Sequence, residues 1–133
     1  MINRLAVIGV GLIGGSLALS LKSKGAVNEV IGYSRSENAR QEALALGVID
    51  KAADSIAEAV AEADVIFVAV PMGAMAAVFA DMSEHIRPEA IITDGGSAKA
   101  QVVLAAREAL GDNFKQFVPG HPIAGTEKSG PSA

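Results

Sequence analysis

Two polar stretches late in the chain hold residue types that move protons. TDGGSAK runs from Thr93 to Lys99, and GHPIAGTEKSG runs from Gly120 to Gly130. Together they offer Ser97, Lys99, His121, Thr126, Glu127, Lys128 and Ser129. An imidazole titrates near neutrality, so His121 could take a proton from a substrate hydroxyl at working pH. A hydroxyl nearby, such as that of Ser97, could hold its ring in orientation. His121 stands between Gly120 and Pro122, in a stretch with no packing periodicity. The other histidine, His85 in SEHIRP, falls near the end of an amphipathic helical pattern and reads as a surface or capping residue.

A third stretch, GVGLIGG, would supply the partner that such a base needs. Gly9, Gly11 and Gly14 have the spacing G-x-G-x-x-G, with Leu12 and Ile13 inside it and Gly15 beyond. Gly9 permits a tight turn off a strand, and Gly11 lets the backbone approach a diphosphate with no Cβ in the way. Gly14 lets a helix pack closely on the strand, and the helix N-terminus presents free N–H groups and a positive dipole end. The motif follows the first apolar run and opens the first helical pattern, the context that dinucleotide binding requires. Sites for NAD place an acid about 20 residues further on, against the ribose 2′-hydroxyl. Here that place reads YSRS, with Ser34, Arg35 and Ser36 and no acid until Glu37. A carboxylate would repel a 2′-phosphate, whereas arginine and hydroxyls can hydrogen-bond it. NADP is therefore favoured, and NAD stays possible because serine can also bond its ribose. Val70, Pro71 and Met72, in AVPMGAM, are placed at the nicotinamide side of the crevice, and Gly96 joins them as a cofactor contact. Met72 and Met75 fit a strand end and a helix start equally well.

The elements that must hold these stretches alternate along the chain. RLAVIGV is a short continuous apolar run, as expected for a strand buried on both faces of a parallel sheet. IGGSLALSLKSKG has helical spacing and closes on Gly25. EVIGYS predicts a second strand, and SENARQEALALGV a helix capped by Ser36 and ended by Gly47. SIAEAVAEA is an alanine-rich helix leading into the strand DVIFVAVP, which Pro71 ends by removing a donor. MAAVFADMSEHI predicts a helix, AIITDGG a strand, AKAQVVLAAREALG a helix, and KQFVPG a last short strand. Strands alternating with helices through short connections imply parallel pairing and right-handed crossovers. The fold class is α/β: a doubly wound, mainly parallel sheet of the Rossmann dinucleotide-binding type. Residues 1–133 form one domain, uninterrupted by a linker or repeat.

Composition narrows the functions open to such a domain. The 133 residues are half apolar and one-fifth charged, which is globular composition. A net charge of −4 speaks against a non-specific nucleic-acid binder, which needs a basic face. The chain has no cysteine, hence no disulfide and no thiolate metal site, which fits a reducing cytoplasm; no metal ligand set is expected. The uncharged run from Leu5 to Leu21 superficially resembles a signal-peptide core or a short membrane span. Its clustered glycines would weaken a continuous helix, and a strand, turn and helix account for them better, so no membrane association is expected.

GLIGGSLAL at the first turn, TDGGSAKA and GHPIAGTEKSG together resemble the prephenate/arogenate (cyclohexadienyl) dehydrogenases of tyrosine biosynthesis, in order and over essentially the whole chain. The last motif is far more specific than the glycine turn. The resemblance implies an NAD(P)-dependent oxidative decarboxylation of prephenate or arogenate, with His121 as the base for the ring hydroxyl. It implies that Ser97 hydrogen-bonds that histidine and the substrate, and that Gly125, Thr126 and Glu127 lie at the substrate pocket. Where the family often has Asp-Val-Gly-Ser-Val-Lys, this sequence has Asp94-Gly95-Gly96-Ser97-Ala98-Lys99, which loosens packing and keeps the serine. The family also carries a helical second domain that supplies dimer contacts and cations for the substrate carboxylates. The chain thus reads as the cofactor domain of a longer homodimeric enzyme, with a small-molecule substrate and little turnover by itself.

Two other readings share the glycine turn. A β-hydroxyacid dehydrogenase or imine reductase would show a similar turn and a VP strand end, without needing GHPIAGTEKSG. A nucleotide-sensing regulatory domain of this length would need an acidic ribose clamp, which YSRS lacks.

Overall fold

The computed structural model describes residues 2–9, 12–95 and 99–118. Its strands are β1 (Ile2–Ile8), β2 (Val27–Tyr33), β3 (Lys51–Ala52), β4 (Val65–Val68) and β5 (Ile91–Asp94). Its helices are α1 (Leu12–Ser23), α2 (Glu37–Ala45), α3 (Ile56–Val60), α4 (Met72–Met82) and α5 (Lys99–Leu110), and α5 runs into a 3-10 turn over Gly111–Gln116. The sheet order is β3-β2-β1-β4-β5, with every pair parallel.

The apolar run of β1 explains the layering. Successive strand side chains point to opposite faces. Ala6 and Ile8 join Ile66, Val68 and Ile92 in a core covered by α3, α4 and α5. Leu5 and Val7 join Val30 and Phe67 in a second core, against Ala18 of α1 and Ala43 of α2. A strand buried on both faces can carry no polar alternation, which is why RLAVIGV is apolar throughout. The uncharged run from Leu5 to Leu21 is divided between β1 and α1. No helix among the described residues is long and apolar enough to cross a membrane.

The expected punctuation is in place. Ser36 Oγ accepts the N–H of Ala39, and Gly25 and Gly47 end α1 and α2 at φ of +68° and +76°. Met75 is fully buried in the core, and His85 is exposed in the turn after α4, where its N–H donates to Met82 O.

Two local readings need correction. The two-residue strand β3 was not expected from sequence, since two residues carry no periodicity; it pairs Lys51 and Ala52 with Ile31 and Gly32. KQFVPG is not a strand over its described part. Lys115 and Gln116 belong to the 3-10 turn, and only Phe117 bridges to Ile92, followed by the Val118 N–H donating to Ile92 O at 2.7 Å. The reason is aromatic packing. Residues three apart eclipse in a 3-10 turn. Phe114 therefore stacks on Phe117, at 6.2 Å between centroids, while Phe117 packs edge-on against Phe79 at 5.6 Å. A strand would have set Phe117 on a face with Lys115.

Candidate dinucleotide site

The strand order reverses between β1 and β4, and open α/β sheets bind ligands outside the carboxyl ends of the strands at that point. The turns leaving β1, β2 and β4 converge there. The Gly9 N–H donates to Tyr33 O at 2.8 Å, and the Ala69 N–H donates to Ile8 O at 2.8 Å, so the three strand ends are tied by backbone. A cavity of about 550 Å³ opens over them, bordered by Gly9, Ser34, Arg35, Val70 and Pro71. Five of the residues singled out from sequence thus border one cavity.

Glycine is required at two positions of the first turn. A Cβ on Gly9, which has φ +97°, would stand 2.5 Å from Ala69 O. One on Gly14 would stand 2.3 Å from Gly9 O and 2.9 Å from Val7 Cγ1. Gly15 is different, for its Cβ would meet only Val48 Cγ1, at 3.6 Å. The pattern therefore brings α1 hard against the end of β1 and aims the start of the helix at the turn. Leu12 and Ile13 form the opening turn of α1, and Met72 is the first residue of α4.

The β2 wall is held by a residue that sequence reasoning missed. Arg40, on α2, donates through Nη1 to Ser34 O and lies over the Tyr33 ring, 5.7 Å from its centroid. Ser36 stands outside the cavity wall; its N–H donates to Ser34 Oγ at 3.3 Å, and its own hydroxyl caps α2. Arg35 is exposed and forms no ion pair among the described residues. The α4 residues that border the cavity were also missed. Ala74, Ala77, Val78 and Asp81 fall at i, i+3, i+4 and i+7 along α4, a one-face spacing that could have been read from the sequence once Pro71 was placed at the cavity. Ile56 of α3 borders the same cavity.

Gly11, Gly96, Ser97, His121, Gly125, Thr126 and Glu127 lie outside the described residues. Of the stretch that carries Ser97, the described residues are Thr93–Gly95 and Lys99. Asp94, buried, ends β5, and the Gly95 N–H donates to Val68 O at 2.9 Å beside the end of β4.

The model of the family described as "Prephenate dehydrogenase, nucleotide-binding domain" matches residues 17–133. The chain belongs to this family. It is 40% identical over 131 residues to a cyclohexadienyl dehydrogenase of Zymomonas mobilis, covering 98% of this chain and 44% of that one. It is also 40% identical over 134 residues to a prephenate dehydrogenase of Bacillus subtilis, covering 100% of this chain and 36% of that one. Among solved structures, the prephenate dehydrogenase of A. aeolicus in complex with hydroxyphenyl propionate and NAD+ superposes with a TM-score of 0.83 at 33% identity, over 96% of this chain and 44% of that one. The arogenate dehydrogenase of Synechocystis gives 0.79 at 31% identity, over 93% and 42%. The chain therefore spans less than half the length of these relatives. As a prephenate dehydrogenase nucleotide-binding domain it has the all-parallel, helix-covered sheet expected of the class. A lactate dehydrogenase of Eimeria maxima, at 19% identity and a TM-score of 0.70, shares that fold alone.

Proposed function

We propose that residues 1–133 are the cofactor domain of an NAD(P)-dependent dehydrogenase that oxidatively decarboxylates prephenate to 4-hydroxyphenylpyruvate, or arogenate to tyrosine. The observation that carries this is the convergence of Gly9, Ser34, Arg35, Val70 and Pro71 on one cavity in a chain of this family. The residues fit the cofactor. A turn too tight for a Cβ at Gly9 or Gly14 presents bare backbone where a diphosphate needs it. Gly11, Leu12 and Ile13 extend that contact, Ser34 and Arg35 face the adenosine ribose while Ser36 supports them from outside the wall through its bond to Ser34 Oγ, and Val70, Pro71, Met72 and Gly96 border the nicotinamide. When bound, the nicotinamide supplies the hydride acceptor. His121 takes the proton of the ring hydroxyl, Ser97 orients the imidazole and the substrate, and Gly125, Thr126 and Glu127 border the substrate.

Arg35 and the neighbouring hydroxyls favour NADP, because the wall carries a cation and no carboxylate between Tyr33 and Ser36. The NAD+ held by the A. aeolicus relative supports NAD as the second choice. Substrate carboxylate binding and homodimer formation fall to the helical second domain, and the setting is cytoplasmic.

Fluorescence titration with NADPH and NADH, alongside initial rates with prephenate and arogenate, tests the proposal. We expect NADPH to bind more tightly than NADH and the 133 residues to show little turnover. Failure of both dinucleotides to bind overturns the cofactor role, tighter NADH overturns the NADP preference, and turnover rivalling that of the longer relatives overturns the division of labour.

A further inference from the structure

We propose that Asp81 selects the purine of the dinucleotide, its carboxylate accepting a hydrogen bond from the exocyclic amine of adenine. The inference rests on the cofactor role proposed above. Along α4, Ala74, Ala77 and Val78 border the cavity as a low apolar rail, and Ile56 adds a further apolar side chain. Small side chains on one face of a helix leave a flat slot, suited to one face of an aromatic ring. Arg35, whose planar guanidinium can stack on such a ring, borders the same cavity.

Asp81 lies one turn beyond Ala77 on this rail. It is exposed, and no hydrogen bond or ion pair engages it among the described residues. Among the described residues, the charged groups of the cavity wall are Arg35 and Asp81. Arg35 serves the phosphorylated ribose, so Asp81 is left facing the base. An ionised carboxylate only accepts hydrogen bonds. Adenine presents an amine at C6 and satisfies it. Hypoxanthine presents a carbonyl there and sets oxygen against oxygen.

The test compares NADPH with reduced nicotinamide hypoxanthine dinucleotide phosphate, which carries a carbonyl in place of that amine and a proton on the adjacent N1. Both are titrated against the chain by fluorescence. The wild type is expected to favour the adenine form about fivefold to tenfold, the range of one charge-assisted hydrogen bond at a solvent-accessible site. Asp81→Ala should weaken NADPH and leave the hypoxanthine form unchanged or tighter, collapsing the ratio to about one. Asp81→Asn can accept from an amine or donate to a carbonyl, and should bind both forms with similar affinity. Equal weakening of both forms by Asp81→Ala, as a partner of Arg35 would give, overturns the inference while leaving the cofactor role standing. So does a wild type that binds both forms equally. No binding of either form overturns the cofactor role and the inference with it.

Discussion

The two edges of this sheet use charge in opposite ways. At the amino edge, side chains are bonded to one another and to the ends of the strands. Arg4 pairs with Glu29 at 2.6 Å and Glu62 at 3.1 Å. Asp64, just before β4, accepts the N–H groups of Asn3 and Arg4, each at 3.0 Å, and pairs with Arg87 at 3.1 Å. Asp50, before β3, takes Lys22 Nζ and the Val30 N–H, each at 2.8 Å. In the cavity beyond the carboxyl ends, Arg35 and Asp81 have no such partners among the described residues, and the turn beside them is stripped of side chains at Gly9. Strand ends leave backbone groups that must be satisfied. One edge meets that need internally, while the other leaves charge and backbone available to a ligand.

The largest effect that breaks this contrast lies in the glycine turn, where fold and site are one. Gly14→Ala forces a Cβ against Gly9 O and Val7, with backbone on the receiving side. We expect a loss of about 3 kcal/mol or more in urea unfolding, the upper end for overpacking, together with loss of NADPH binding. The adjacent Gly15→Ala meets only ordinary contact with Val48 and removes a helix-interior glycine. It should be neutral or stabilising, by up to about 1 kcal/mol. Equal effects from the two substitutions would show that α1 does not dock on β1 as described.

A second pair of substitutions separates the edges outright. Arg35→Asp removes a cation from the cavity and puts a carboxylate beside the ribose. It should weaken NADPH roughly tenfold to a hundredfold, by loss of a charged hydrogen bond, with unfolding unchanged. Asp64→Ala strips the acceptor from two strand N–H groups and a partner from Arg87. It should cost about 1–2 kcal/mol in unfolding and leave NADPH affinity untouched. If Asp64→Ala alters affinity as much as Arg35→Asp does, the edges are coupled and the contrast fails.

What could be read from the sequence follows the same division. β1, β4 and the helices were legible because burial on two faces, or on one stripe, leaves a periodic record in residues such as Leu5 to Ile8. The cavity wall from Gly9 to Pro71 was legible because backbone approach and strand ends demand particular residues. Arg40 was not, since a cation that bonds a carbonyl and covers a tyrosine ring has the same local sequence as a solvated one. Nor was the 3-10 turn before Phe117, which is set by contact with Phe79 on a distant helix and not by local pattern. Asp81 leaves a record only in company, through its spacing from Ala74 and Ala77.

The smallest expected effect concerns Asp50, at the bonded edge. Burial alone would raise its carboxyl pKa, but hydrogen bonds from Lys22 and the Val30 N–H, with the Lys22 charge, outweigh burial and hold it below the ordinary 3.8. A carboxyl depressed in the folded state contributes stability above its unfolded pKa and loses it as pH falls through the folded one. Asp50→Asn keeps one acceptor oxygen where two were in use and removes the charge. The substituted chain should therefore be slightly less stable than wild type at pH 7, and the gap should close as pH drops from about 5 to below the usual carboxylate range. Urea unfolding at pH 7, 5 and 3 measures this. A gap that stays constant across that range would mean that the Lys22–Asp50 pair, at 2.8 Å, does not favour the charged form of Asp50 in the folded chain. Because Asp50 sits away from the cavity, NADPH affinity at pH 7 should not follow the change in stability. If it did, the bonded edge would be helping to set the geometry of the binding edge through β2, whose Val30 N–H Asp50 holds.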